Sequence, residues 1–185
     1  MPSSVTPLPK AYAWLAAEPG PRLLTEMLKL YGTVEAPGGA NNPEILRWAE
    51  RVGLGHVYKS DATAWCGLTV SYACAQACYP YSPLGNALWA RNWAEWEDMV
   101  PTGQAMLGDV LVFARGNAGH VGIYVGEGAD VFHVLGGNQG DAVTIRTKPK
   151  KGIIAVRRRH WQVGQPANVR KVYLTASGTP STNEA

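Results

Sequence analysis

Cysteine is scarce in this chain, phenylalanine scarcer, and long apolar runs are absent. The 185 residues hold three cysteines and two phenylalanines. Cys66, Cys74 and Cys78 lie at helical spacing and form no CxxC pair, which argues against a disulfide scaffold and a zinc centre. No segment approaches the roughly 20 apolar residues that span a bilayer. The opening "MPSSVTPLPKAYAWLAAEPG" has no basic region leading into an apolar stretch, so no Sec signal is expected. Synthesis in a reducing compartment is the simplest reading. "GEG", "GGNQG" and "PGGANNP" lack the strand, helix and lysine context of a dinucleotide or phosphate loop. Neither a metal nor an organic cofactor is expected, and there is no internal repeat.

What is present is tryptophan, seven residues of it, and a hydrophobic fraction of 46% that suits one globular domain. Charge is unevenly placed. Residues 1–141 carry 8 Lys/Arg against 13 Asp/Glu, and residues 142–185 carry 9 against 1. The basic quarter either faces an anionic polymer or forms solvated strand faces and a loose tail.

The first half reads as helices. "PRLLTEMLKLYG" puts Leu23, Leu24, Met27, Leu28 and Tyr31 on one face, between Pro21 and Gly32. "NPEILRWAERVGLG" has a capping Asn42, Pro43 at the first helical position and Gly53 as its stop. "CGLTVSYACAQACY", from Cys66, is apolar all round and predicts a buried helix. A fourth helix is expected over "NALWARNWAEWED", with Trp89, Trp93 and Trp96 as a stripe. Afterwards the period becomes that of strands: 109–114, 120–127, 130–137, 142–148 and 152–161, separated by turn residues and read as an antiparallel meander. "KVYLT" (171–175) is a possible edge strand and "ASGTPSTNEA" a flexible tail. Helices followed by consecutive strands predict an α+β domain with five or six antiparallel strands.

Cys66 falls where the buried helix should begin. Free backbone N–H groups and the helix dipole there favour a thiolate, and the same N–H groups can receive an oxyanion. Gly67 would let a carbonyl substrate approach. Cys74 and Cys78 read as core. A cysteine nucleophile needs a base and a group to orient it. His120, starting a strand between glycines in "NAGHVGIYVG", is preferred to His133, which lies mid-strand; His56 and His160 are peripheral. Asn138 in "LGGNQGD" could orient the imidazole or be an ordinary turn residue, with Gln139 and Asp141 as second choices. Trp65 either walls the cleft or wedges the helix, and Glu35 joins Trp65, Gly67 and Gln139 as a cleft candidate.

The order Trp-Cys-Gly before a helix, "GDVLVF", "GHVGIYVG" and "GGNQ" resembles the NlpC-type and CHAP cell-wall hydrolases, which have a papain-like fold. The likeness runs from about Trp14 to Trp161 and includes "GTVEAPGGANNPEI". It implies an N-terminal extension over 1–13, a papain-like cysteine hydrolase domain over 14–162 and a C-terminal strand and flexible tail over 163–185. It implies Cys66 as nucleophile, His120 as general base and Asn138 as the orienting residue. The Cys66 N–H would serve the oxyanion, with Thr63 or Asp61 as a polar side chain beside it. Many CHAP domains place a glutamate shortly before that asparagine, where this chain has Leu135, Gly136 and Gly137. The expected activity is cleavage of a peptidoglycan amide, by an endopeptidase or an N-acetylmuramoyl-L-alanine amidase. The expected protein is monomeric, binds the peptide stem and no specific nucleic acid, and reaches the wall through a holin-type pore, from a virion or by injection, as a phage endolysin does. The alternatives are a non-catalytic module on the same fold and a cysteine peptidase or amidase with a non-wall substrate.

Overall fold

Asn42 and Pro43 start a helix by local chemistry alone: the asparagine side chain accepts from the Glu44 N–H at 2.8 Å, and proline takes the first turn. The computed structural model describes residues 6–82 and 85–181. After a 3-10 segment over Lys10–Ala17 come α1 (Arg22–Lys29), α2 (Pro43–Arg51) and α3 (Cys66–Gln76). Helix α1 buries Leu23, Leu24 and Met27, and α2 buries Ile45, Trp48 and Ala49. Helix α3, apolar all round, is buried from Cys66 through Ser71 and lies between these helices and the sheet. Tyr72 on α3 stacks on Trp48 of α2 at 5.4 Å.

The strands are β1 (Asp98–Val100), β2 (Val110–Arg115), β3 (Ala118–Glu127), β4 (Val131–Gly136), β5 (Thr144–Pro149) and β6 (Ile153–Arg158). They form one antiparallel sheet in the order β1-β6-β2-β3-β4-β5. The protein is therefore α+β. Strands β2 to β5 are the expected meander, but β6 returns to the free edge of β2. Strand β1 pairs with β6, Val100 opposite Val156. One face of the sheet packs under the helices through Val110, Val112, Val121, Ile123, Val125 and Leu135. The other carries Leu111, Phe113, Tyr124, Phe132, Val134 and Val156.

Four expectations change. Cys78, read as core, is exposed just past the end of α3. The fourth helix is a 3-10 segment over Ala90–Glu95, because the indoles are tied to carbonyls instead of forming a stripe: Trp93 Nε1 donates to Ala87 O and Trp96 Nε1 to Pro80 O. Trp89 is exposed. The 171–175 segment makes isolated bridges, Tyr173 with Glu127 and Leu174 with Pro180, in place of a strand. The tail is held through Ser181, whose N–H donates to Tyr173 O, and Gly178 packs on Tyr12. Residues 182–185 of the tail and 1–5 of the N-terminal extension lie outside the described residues. Tyr12 itself is buried, and its hydroxyl bonds His133 Nδ1 at 2.7 Å. His133 is thus tied into the core, away from any solvent.

The charge asymmetry of the sequence is largely neutralised by folding. Of the nine cations in residues 142–185, six pair with acids from the first 141: Lys150 and Lys171 with Glu127, Arg157 with Glu95, Arg158 with Asp109, Arg159 with Glu97 and Arg170 with Glu18. Arg158 grips buried Asp109 with both Nε and Nη2 at 2.8 Å, and Asp109 also accepts from the Met106 N–H. Removing one partner of a buried bidentate pair leaves the other charge uncompensated. Asp109→Ala should lower the unfolding free energy by about 3 kcal/mol in urea titration; a loss within about 0.5 kcal/mol, the range of ordinary surface substitutions, would show that the pair is dispensable.

Candidate active site

Helix α3 begins at Cys66, with Trp65 as an N-cap that offers no side-chain bond. The first-turn N–H groups are therefore free to face outward chemistry. The thiol is 5% exposed. Burial pushes its pKa up, while the N–H groups of Val121, Gly67 and Cys66 itself, and the charge of Arg115, pull it down. Val121 follows His120 directly, so the strand that carries the histidine is the one that meets the sulfur. Helix α3, which carries Cys66, packs on β3, which carries His120 54 positions later in the chain.

His120 is also 5% exposed. Burial, then the charge of Lys148, lowers its pKa to about 4; an acceptor on Gln139 acts upward and Arg115 downward. The imidazole is therefore neutral at pH 7, opposite a thiol that is also held neutral. Gln139 is the residue that faces it. The Gln139 amide nitrogen is held by the carbonyls of Val134, Gly136 and Thr144 at 3.1, 3.3 and 2.7 Å, which fixes the amide so that Oε1 turns the other way. His120 Nε2 lies beside Gly136. That ring nitrogen and Gln139 Oε1 are both buried, and neither makes a hydrogen bond of ordinary length and angle. A donor and an acceptor left over in one place are each other's complement.

Asn138, one residue earlier, sits at φ +54 with its amide nitrogen 3.5 Å from Glu35 Oε2. The left-handed backbone turns its side chain from the histidine to the loop before α2. Glu35 Oε2 also accepts from Trp65 Nε1 at 3.1 Å. Trp65 is fully buried, against Trp48 at 6.2 Å, so it wedges the helix and does not wall a cleft. Gly67 serves packing instead of substrate approach: a Cβ there would lie 2.3 Å from Ala87 O and 2.9 Å from Leu88 O. Asp61 is a clamp. Its Oδ2 accepts from the N–H groups of Ala36 and Asn42, tying the 36–42 loop to the chain that leads into α3. Thr63 is exposed, and its carbonyl accepts from Tyr58 Oη at 3.0 Å. Asp61 Oδ2 is taken up by the Ala36 and Asn42 N–H groups, and the end of α3 supplies backbone N–H donors for an oxyanion.

Sequence reasoning missed Tyr58, Arg115 and Lys148. Tyr58 is buried, and burial, then Asp61, Glu35 and Cys66, raises its pKa, which places it at the edge of the site. Its position eight residues before the cysteine, in "YKSDATAWC", was the available signal. Among the described residues no cluster of three or more His, Cys, Asp or Glu could hold a metal ion, and no helix is long and apolar enough to cross a membrane.

A histidine neutral in the fold and basic when unfolded makes stability fall with acid. The unfolded imidazole takes its proton near pH 6.5 and the folded one near 4, so His120's contribution is complete above 6.5 and lost on the way down to 4. The difference is about 3 kcal/mol. Urea midpoints measured from pH 7 to 4 should therefore fall less steeply in His120→Asn than in the wild type; parallel slopes would show that His120 titrates normally. Gly67→Ala should lose about 1–3 kcal/mol from the collision with Ala87 O, read by the same titration at pH 7, and an unchanged midpoint would return Gly67 to the role of a substrate opening.

No protein-family model, curated protein or solved structure matches the chain, and the chemistry of the site rests on this geometry and on the sequence resemblance.

Proposed function

We propose that the protein is a cysteine hydrolase of papain-like fold that cleaves an amide bond in peptidoglycan, with Cys66, His120 and Gln139 as its working residues. The observation that carries the reading is the junction itself: a helix N-terminal thiol against the strand that presents a buried, neutral imidazole, with the Gln139 amide, fixed by three carbonyls, facing that imidazole. The wall as substrate comes from the sequence resemblance.

The steps follow from the groups present. His120 takes the Cys66 proton as the sulfur attacks the scissile carbonyl carbon, and the carbonyl electron pair moves to oxygen. The free N–H of Cys66 at the helix end receives that oxyanion. His120, now imidazolium and held by Gln139 Oε1, gives its proton to the leaving nitrogen, and the C–N bond breaks to leave a thioester. Water, deprotonated by His120, attacks the thioester carbon and returns the thiol and a carboxylic acid. The cut is either within the peptide or between muramic acid and L-alanine, since both bonds need the same chemistry. In this reading the protein acts as a lysin, made in the bacterial cytoplasm and delivered to the wall through a pore, from a virion or by injection.

Turbidity loss of purified sacculi tests the assignment. Cys66→Ala should abolish it, Cys74→Ala should not, and mass spectra of the released fragments name the bond. Gln139→Ala should slow cleavage about 10²-fold, the lower end of what a positioned acid–base group supplies, while Asn138→Ala stays near wild type. Equal behaviour of the wild type and Cys66→Ala would remove the hydrolase reading, and a large loss in Asn138→Ala with none in Gln139→Ala would return the orienting role to the asparagine.

A further inference from the structure

Three cations stand on the His120 side of the sheet, each without a carboxylate partner among the described residues. His120 is opposite Phe113 in the β2–β3 pair, and Arg115 is two residues further along β2, hence on the same face. On the other flank Lys148 is opposite Phe132 and Arg146 opposite Val134. Phe113 and Phe132 meet ring to ring at 6.4 Å, so these positions share one face. Arg115 and Lys148 both act on His120, and each is within electrostatic reach of Cys66. Arg146 abuts the turn that carries Gln139, its Nη2 3.5 Å from where a Gly140 Cβ would stand. Burial, then Arg115, depresses the Lys148 pKa, with Arg146 adding to it.

The contrast with the rest of the basic quarter is what gives these residues meaning. Among the described residues six of its nine cations are paired with carboxylates; Arg146, Lys148 and Lys151 are not, and neither is Arg115. Glu35 and Asp61, which with Cys66 surround Tyr58, hold other groups: Glu35 Oε2 accepts from Trp65 Nε1 and the Asn138 amide, and Asp61 Oδ2 from the N–H groups of Ala36 and Asn42. Mutually repelling cations at the rim of a reactive site are stable partners for an anion brought from outside, and an arginine fork beside a lysine suits a carboxylate.

We propose that Arg115, Lys148 and Arg146 form a carboxylate-binding subsite, and that the substrate is a peptide bearing a free carboxylate close to the scissile amide. The inference rests on the hydrolase reading for the word substrate, and on the charge arrangement for the rest. The residues are specificity determinants: they hold the anionic group that places the amide over Cys66.

Binding separates the two. Calorimetry on the folded Cys66→Ala protein would use a synthetic wall stem peptide with its carboxylates free and the same peptide with each carboxylate amidated. The free form should bind at least about tenfold more tightly. Arg115→Gln and Lys148→Gln should each erase most of that difference, whereas Lys151→Gln, an exposed unpaired cation of the same quarter, should keep it. Equal binding of the two peptides, binding of neither, or an equal loss in Lys151→Gln would overturn the subsite. Cleavage by the protein with Cys66 intact is then read separately: discrimination in binding without cleavage of either peptide or of sacculi sinks the hydrolase reading and leaves the anion site standing.

Discussion

The first turn of α3 is set between two stretches of backbone that approach closer than side chains would permit. On one side the carbonyls of Ala87 and Leu88 occupy the space of a Cβ on Gly67; on the other, Thr69 Oγ1 would lie 1.9 Å from a Cβ on Gly137 and Trp65 Cε3 2.9 Å. The helix end is thereby pinned to the end of β4 and to the backbone of Ala87 and Leu88. From this one junction follow the contact of the sulfur with the Val121 N–H, the position of His120 beside Gly136, and the turn that delivers Gln139. Trp65 drives the wedge from within the core, tied to Glu35, and Asp61 holds the preceding loop. Residues that looked like cleft furniture are the frame that aims the cysteine.

Charge is arranged in two tiers. Most of the basic C-terminal quarter folds back onto acids from the first part of the chain, so a sequence with two oppositely charged parts becomes a molecule stitched across its sheet. Glu127, itself buried, takes two lysines at once and the Tyr124 hydroxyl. Such pairs hold the chain ends to the domain and leave little free charge there for an external polyanion. Of the cations of that quarter without a carboxylate partner among the described residues, Arg146 and Lys148 lie on the His120 face of the sheet.

What could be read from the sequence was what short-range chemistry decides. Asn42 and Pro43 start a helix wherever they stand, α3 is apolar on every side, and the strands after Asp109 alternate under any topology. Cys66 and His120 were legible because each is marked by its neighbours, a helix start in one case and flanking glycines in the other. The remainder is set by distant partners. Strand β1 exists only because β6 returns to it, and the tryptophan segment fails to be an α-helix because two indoles reach carbonyls outside it. Asn138 and Gln139 differ by one position in a turn. The positive φ at Asn138 decides which of the two side chains faces the imidazole, and no spacing rule contains that angle.

The neutral state of the reactive pair ties the cations to the chemistry. A buried, un-ionised thiol is a poor nucleophile toward whatever it meets by chance, so in the proposed hydrolase the thiol would wait for its substrate to complete the site. Arg115 and Lys148 oppose an imidazolium, while Arg115 helps a thiolate, so their field works against one product of the proton transfer from Cys66 to His120 and for the other. A carboxylate seated between them would cancel the opposition to the imidazolium. The help to the thiolate would not vanish with it, because the N–H groups of Val121, Gly67 and Cys66 remain. Under that arrangement the proton moves more readily when the subsite is filled than when it is empty, and the substrate's own charge becomes part of what activates the cysteine.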